Sequence, residues 1–126
     1  MNKIVEIDGR EVGFKASALI PRIYRHRIGR DMVSDMNKLR KAYKKVMDLP
    51  EDATQEEKED ARLSVIDLEI FENAAWVMAK HYDPGVEETP EEWLDTFETF
   101  SIYQILPHIL ELWAINNKTT SIAKKK

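Results

Sequence analysis

The chain has 126 residues, 43% of them hydrophobic and 33% charged, with a formal net charge of −4 and no cysteine. A domain of this length can close a core without staples, and the lack of cysteine excludes disulfides, thiolate-held metals and a thiol nucleophile. No apolar run approaches the roughly 20 residues that span a bilayer, and MNKIVEIDGR carries no apolar export segment. The expectation is a cytoplasmic, mainly α domain without a membrane span.

Residues 3–15, KIVEIDGREVGFK, predict a short β-hairpin. Ile4, Val5 and Ile7 supply β-branched residues, Asp8-Gly9 tolerates the positive φ of a two-residue turn, and Val12 and Phe14 alternate on the return strand. Gly13 weakens that strand. The pattern then turns helical. Pro21 suits a first turn, Ile20, Ile23, Tyr24 and Ile28 are apolar, and Gly29 is a natural stop. Asp31 caps a second helix to Met47, with Met32, Met36, Leu39, Tyr43 and Val46 at helical spacing. Thr54 and Glu57 form a capping-box pattern for a long central helix, 55–82, with two apolar stripes. The first is Leu63, Ile66, Ile70, Ala74 and Val77, and the second is Val65, Leu68, Phe71, Ala75, Ala79 and Tyr82. Thr89-Pro90-Glu91-Glu92 caps a short helix bearing Trp93 and Leu94, with Phe97 and Phe100 following. Ser101 with Gln104 starts a last helix to about Ile115, in which Pro107 predicts a kink or break near Tyr103. The sum is about five helices in a single domain, 1–116, with a flexible basic tail at 117–126.

Charge is segregated along the chain. Residues 22–45 carry nine Lys/Arg against Asp31 and Asp35, a net of +7, whereas residues 48–98 carry 17 Asp/Glu against Lys58, Arg62 and Lys80. Such a chain suits head-to-tail association or an oppositely charged partner. It suits equally a monomer in which two solvated faces lie against each other.

Signals for catalysis are thin. His26, His81 and His108 lie in no metal-binding spacing, and His108 with Glu111 one turn on reads as a surface pair. Glu69 and Glu72 share a helix face, either as partners for an arginine of residues 22–30 or as that helix's solvent-facing strip. The glycines form no phosphate-binding loop and no nucleophile elbow is present, so neither enzyme activity nor a cofactor is expected. RIYRHRIGR combines cations with aromatic rings, as nucleic-acid binders do, against a sequence pI of 5.4.

The stretch IPRIYRHRIGRDMVSDMNKLRKAY (20–43) resembles the tail assembly chaperones of long-tailed phages and prophages of Gram-positive bacteria. The resemblance continues through DLEIFENAAWVMAKHYDP (67–84) and TPEEWLDTFETFSIYQILPHILELWAIN (89–116) to the lysine-rich end. It implies a small helical protein of the bacterial host's cytoplasm that coats the tape-measure protein, keeps it soluble, helps recruit tail-tube subunits and leaves before the virion is complete. It also implies a minor longer form made by ribosomal frameshifting, for which the terminal Ala-Lys-Lys-Lys offers lysine codons.

A chaperone for a helical client needs grooves and a means of multiplying along it. Arg22, Tyr24, Arg25, Arg27, Arg30, Lys38 and Lys41 are the candidate partner-binding residues, meeting an acidic patch on the client or on a neighbouring copy in a homo-oligomer. Met32, Met36, Met78, Trp93 and Trp113 are of the types such surfaces use, though core positions also favour them, and Trp76 is expected in the core. The alternative function is a small nucleic-acid-binding regulator acting through residues 22–45.

Overall fold

The computed structural model describes the backbone of residues 1–125 and the side chains of residues 1–115. Strands β1 (Asn2–Ile7) and β2 (Arg10–Lys15) are followed by helices α1 (Ile20–Ile28), α2 (Met32–Met47), α3 (Gln55–Ala61), α4 (Val65–Tyr82), α5 (Pro90–Leu94) and α6 (Ile102–Lys125). The protein is mainly helical with an N-terminal antiparallel hairpin, as its sequence patterning predicts. No helix among the described residues is long and apolar enough to cross a membrane.

The hairpin pairs Val5 with Val12 and Ile7 with Arg10, and its turn places Asp8 at φ 55° and Gly9 at φ 79°. Pleating sends Val5, Ile7, Val12 and Phe14 inward, while Ile4 is half exposed. A two-stranded ribbon is marginal alone, and this one docks within its own chain. The Asp8 carboxylate accepts from the Glu98 N–H at 2.9 Å, and the Arg10 guanidinium lies 3.9 Å above the Phe97 ring. Gly13 is explained by close approach: a Cβ built there would overlap the Tyr82 ring at the end of α4.

Cap chemistry sets most helix ends. Asp31 accepts from Ser34 N–H, Thr54 and Glu57 form the expected capping box, and Thr89 accepts from Glu92 N–H. Gly29 closes α1 in the left-handed region at φ 80°. The single helix expected over 55–82 is two helices. Ser64 and Asp67 make a second capping box, which lets Arg62 turn extended and breaks the chain between α3 and α4. Pro107 does not break the helix: α6 runs through it, and Tyr103, whose carbonyl loses its usual helical donor, is half exposed to water. The expected end of this helix near Ile115 is passed by the backbone, and the expected tail, 117–126, lies outside the residues whose side chains are described.

At the centre, α4 is enclosed from Ile70 to Ala79 on nearly every side, by β2, α1, α2, α5 and α6. Trp93 packs edge-on against Phe14, Phe97 and Phe100 with ring centroids 5.3–6.4 Å apart. Met32, Met36, Trp76, Met78, Trp93 and Trp113 are all core residues. Burial on that scale removes them from any docking surface, which corrects the candidacy of Met32, Met36, Met78, Trp93 and Trp113 as exposed anchors, while Trp76 lies in the core as expected. The α4 stripes also need correction at their first turn, where Val65 is 80% and Ile66 55% exposed because no element covers them.

Candidate partner-binding surface

The basic segment has two sides. On the inner side, Asp35 sits on the buried stripe of α2 between Met32 and Met36, its side chain 4% exposed. The Tyr24 hydroxyl donates to its Oδ2 at 2.8 Å, and Arg30 donates through Nε to Oδ2 at 2.7 Å and through Nη2 to Oδ1 at 2.8 Å. The paired guanidinium bonds hold the Asp35 carboxyl below its ordinary range, with the Tyr24 hydroxyl helping and burial opposing. Burial, then the Asp35 carboxylate, pushes the Tyr24 hydroxyl up, so it stays protonated and a donor. Tyr24 is fully enclosed and holds α1 to α2, which removes it from the partner-binding set. Arg30 is more than half exposed, and the two N–H groups it gives to Asp35 fix its position while the rest of the guanidinium faces water.

On the outer side, Arg22, Arg25, Arg27, Arg40, Lys41, Lys44 and Lys45 are exposed, and Lys38 is exposed on the flank of α2 that is turned toward α4. Lys44 pairs with Asp48 one turn on, and Arg27 reaches Glu88 at 3.6 Å. Among the described residues, Arg22, Arg25, Lys38, Arg40, Lys41 and Lys45 have no carboxylate within salt-bridge distance. The two halves of the charge distribution therefore do not cancel inside one copy. Arg27 to Glu88 is the single described ion pair that joins the basic segment to a distant acidic residue.

A cleft of about 430 Å³ opens where α1 meets the end of α4, lined by Ile23, Arg27, Trp76, Val77, Lys80, His81, Pro84 and Glu88. Lys80 is a structural clamp at its mouth. Its ammonium donates to the Val86 carbonyl at 2.7 Å and to Glu88 at 3.1 Å, while Trp76 Nε1 donates to the Glu87 carbonyl. Lys80 and then Arg27 hold the Glu88 carboxyl below its ordinary range. His81 lies 2.9 Å from Ser17 Oγ, and burial, with Lys15 and the N-terminus nearby, lowers its pKa.

Neither Glu69 nor Glu72 forms an ion pair with an arginine of residues 22–30, because Asp35 takes Arg30 first. Glu69 is exposed and Glu72 half-buried, closer to the solvent-facing strip. Burial, and then the charges of Glu69 and Glu91, push the Glu72 carboxyl up. His108 and Glu111 do not bond each other. Glu111 instead takes Lys3 of the hairpin at 2.7 Å, and His108 Nδ1 is buried without a partner. Among the described residues, no group of three or more His, Asp and Glu is placed to hold a metal ion.

Two features escaped the sequence reading. Asp35 as an anchor is signalled by a carboxylate on the apolar stripe five residues after an arginine, and the break before α4 by the Ser64-x-x-Asp67 spacing. No family model, curated protein or solved structure matches this chain.

Proposed function

We propose that this protein is a tail assembly chaperone of a long-tailed phage or prophage, acting in the cytoplasm of the bacterial host. It binds the tape-measure protein, keeps it soluble and helps recruit tail-tube subunits. The observation that carries this reading is the ordered resemblance of residues 20–43, 67–84 and 89–116 to that family. The geometry supports a binding role: exposed cations, all but Arg27 and Lys44 without an internal ion-pair partner among the described residues, line the outer side of α1 and α2 on a scaffold of buried aromatic contacts. The contacting residues are Arg22, Arg25, Arg27, Lys38 and Lys41, with Tyr24 and Arg30 fixing the helices that present them. A homo-oligomer distributes that face along a long client.

Co-expression with the neighbouring tape-measure protein tests the proposal. The soluble fraction of the client should rise, and the two should co-elute with many copies of this chain per client. A frameshifted longer form is part of the same reading, and a 3′ coding sequence without a slippery heptamer and an overlapping frame rejects it. The exposure of the same cations keeps nucleic acid as the second reading, although Tyr24, the ring beside them, is buried and cannot stack on bases. Retention on DNA that falls steeply with salt would favour that reading.

A further inference from the structure

The first two turns of α4 present an apolar ledge with an acidic rim. Val65 and Ile66 stand exposed between two clefts, of about 240 and 350 Å³, that share Glu69 and Asn73. One cleft is walled by Arg30, Lys38 and Ile70, the other by Leu68, Glu72, Pro90, Glu91 and Leu94. Among the described residues, Glu69, Glu72 and Glu91 have no cation within salt-bridge distance. A surface of this kind fits a helix that offers apolar side chains flanked by cations.

The chain itself carries such a helix face. Val33 and Met47 are 44% and 63% exposed on α2, and Arg40 and Lys44 lie between them on the same side. The opposite flank of α2, bearing Lys38, is the one turned toward α4 of its own copy. The cationic face and the acidic ledge therefore lie on different sides of the molecule, free to meet in separate copies. The other exposed carboxylates cluster on α3, which buries no residue of its own, and along 88–98, and neither stretch bears an exposed large apolar side chain to serve as an anchor. Exposed charge without an anchor contributes little to a lasting contact.

We propose that the Val33–Arg40–Lys44–Met47 face of α2 docks on the Val65–Ile66–Glu69–Glu72 ledge of α4 in a second copy, so that copies join head to tail. A heterologous contact of this kind either closes a ring or grows a filament. The inference rests on the self-associating part of the chaperone reading and gives it a surface.

Sedimentation velocity of the full chain at rising concentration and at low and high salt tests it. The wild type should associate with concentration, less at high salt. Glu69→Lys with Glu72→Lys, and separately Arg40→Glu with Lys44→Glu, should each weaken association about tenfold or more. All four changes in one chain should restore it, because the reversed faces complement each other again. Circular dichroism and thermal melts check that the substitutions, three at exposed positions and one at half-buried Glu72, leave the fold intact. A wild type that stays monomeric at low salt overturns the proposal and leaves the ledge for a partner of other chemistry. So does association that ignores the single-face reversals, or a folded four-fold variant that fails to associate. The same variants in the client solubility assay separate the two claims. Self-association through this face without client binding keeps the interface and sinks the chaperone reading, and the reverse result does the opposite.

Discussion

Tyr24 and Arg30 close on Asp35 from the inner side of the basic segment, whereas Arg22, Arg25 and Lys41 face solvent on the outer side with no carboxylate in salt-bridge reach. The same stretch of sequence supplies both. The inner side joins α1, the Gly29 turn and α2 through one carboxylate that satisfies a buried hydroxyl and a guanidinium at once. The outer side adds repulsion among cations and, apart from the exposed Arg27–Glu88 and Lys44–Asp48 pairs, no contact that holds the fold. The segment thus separates the charge that builds the fold from the charge to which the proposed binding role is assigned.

That contrast can be broken from either side. Asp35→Ala should cost most, about 2–3 kcal/mol, because it strands the buried Tyr24 hydroxyl and removes both guanidinium bonds. Urea denaturation reads the loss directly. Gly13→Ala should cost about 1–3 kcal/mol by driving a Cβ into the Tyr82 ring, which Tyr82→Ala in the same chain should relieve in part. Ser64→Ala should cost about 1 kcal/mol by removing one half of the α4 capping box, visible as a lower melting temperature. At the other end, Arg22→Gln with Arg25→Gln should change stability by less than about 0.5 kcal/mol, since neither side chain holds another group. A large loss there would place outer cations among the structural ones.

Acid sharpens the comparison further. Asp35 titrates below its ordinary 3.8 in the folded chain, so its contribution is complete above that value and is lost as pH falls through the folded pKa. His81 titrates below its ordinary 6.5, so as pH drops beneath 6.5 the unfolded chain takes up the proton first and stability declines. Urea midpoints at pH 7 and pH 5.5 should therefore fall in the wild type and fall less in His81→Asn. Equal slopes would remove His81 from the acid response.

Local chemistry was readable at most motifs that act within one turn. Asp8-Gly9, Asp31, Thr54 with Glu57, Thr89 and Gly29 all do in the structure what their residue types dictate. The break before α4 was equally local but lay inside a strong apolar period, and the period masked the Ser64 cap. Coverage was not readable. Helical spacing marks Tyr24 and Ile66 alike as apolar positions, yet α2 supplies Tyr24 with a buried carboxylate, while Ile66 lies beyond the last element that packs on α4. The candidate surface was visible as charge because exposed cations need no partner to be counted. Which of them were already spent, Arg30 above all, depended on a contact the sequence pattern does not display.

The most direct measurement is the soluble fraction of the tape-measure protein co-expressed with the wild-type chain and with an Arg22→Glu, Arg25→Glu variant of unchanged helicity. A marked rise with the wild type, co-elution of the two proteins, and a loss of both with the variant are expected. No rise with the wild type would contradict the chaperone reading, and an equal rise with the variant would take the outer face of α1 out of it.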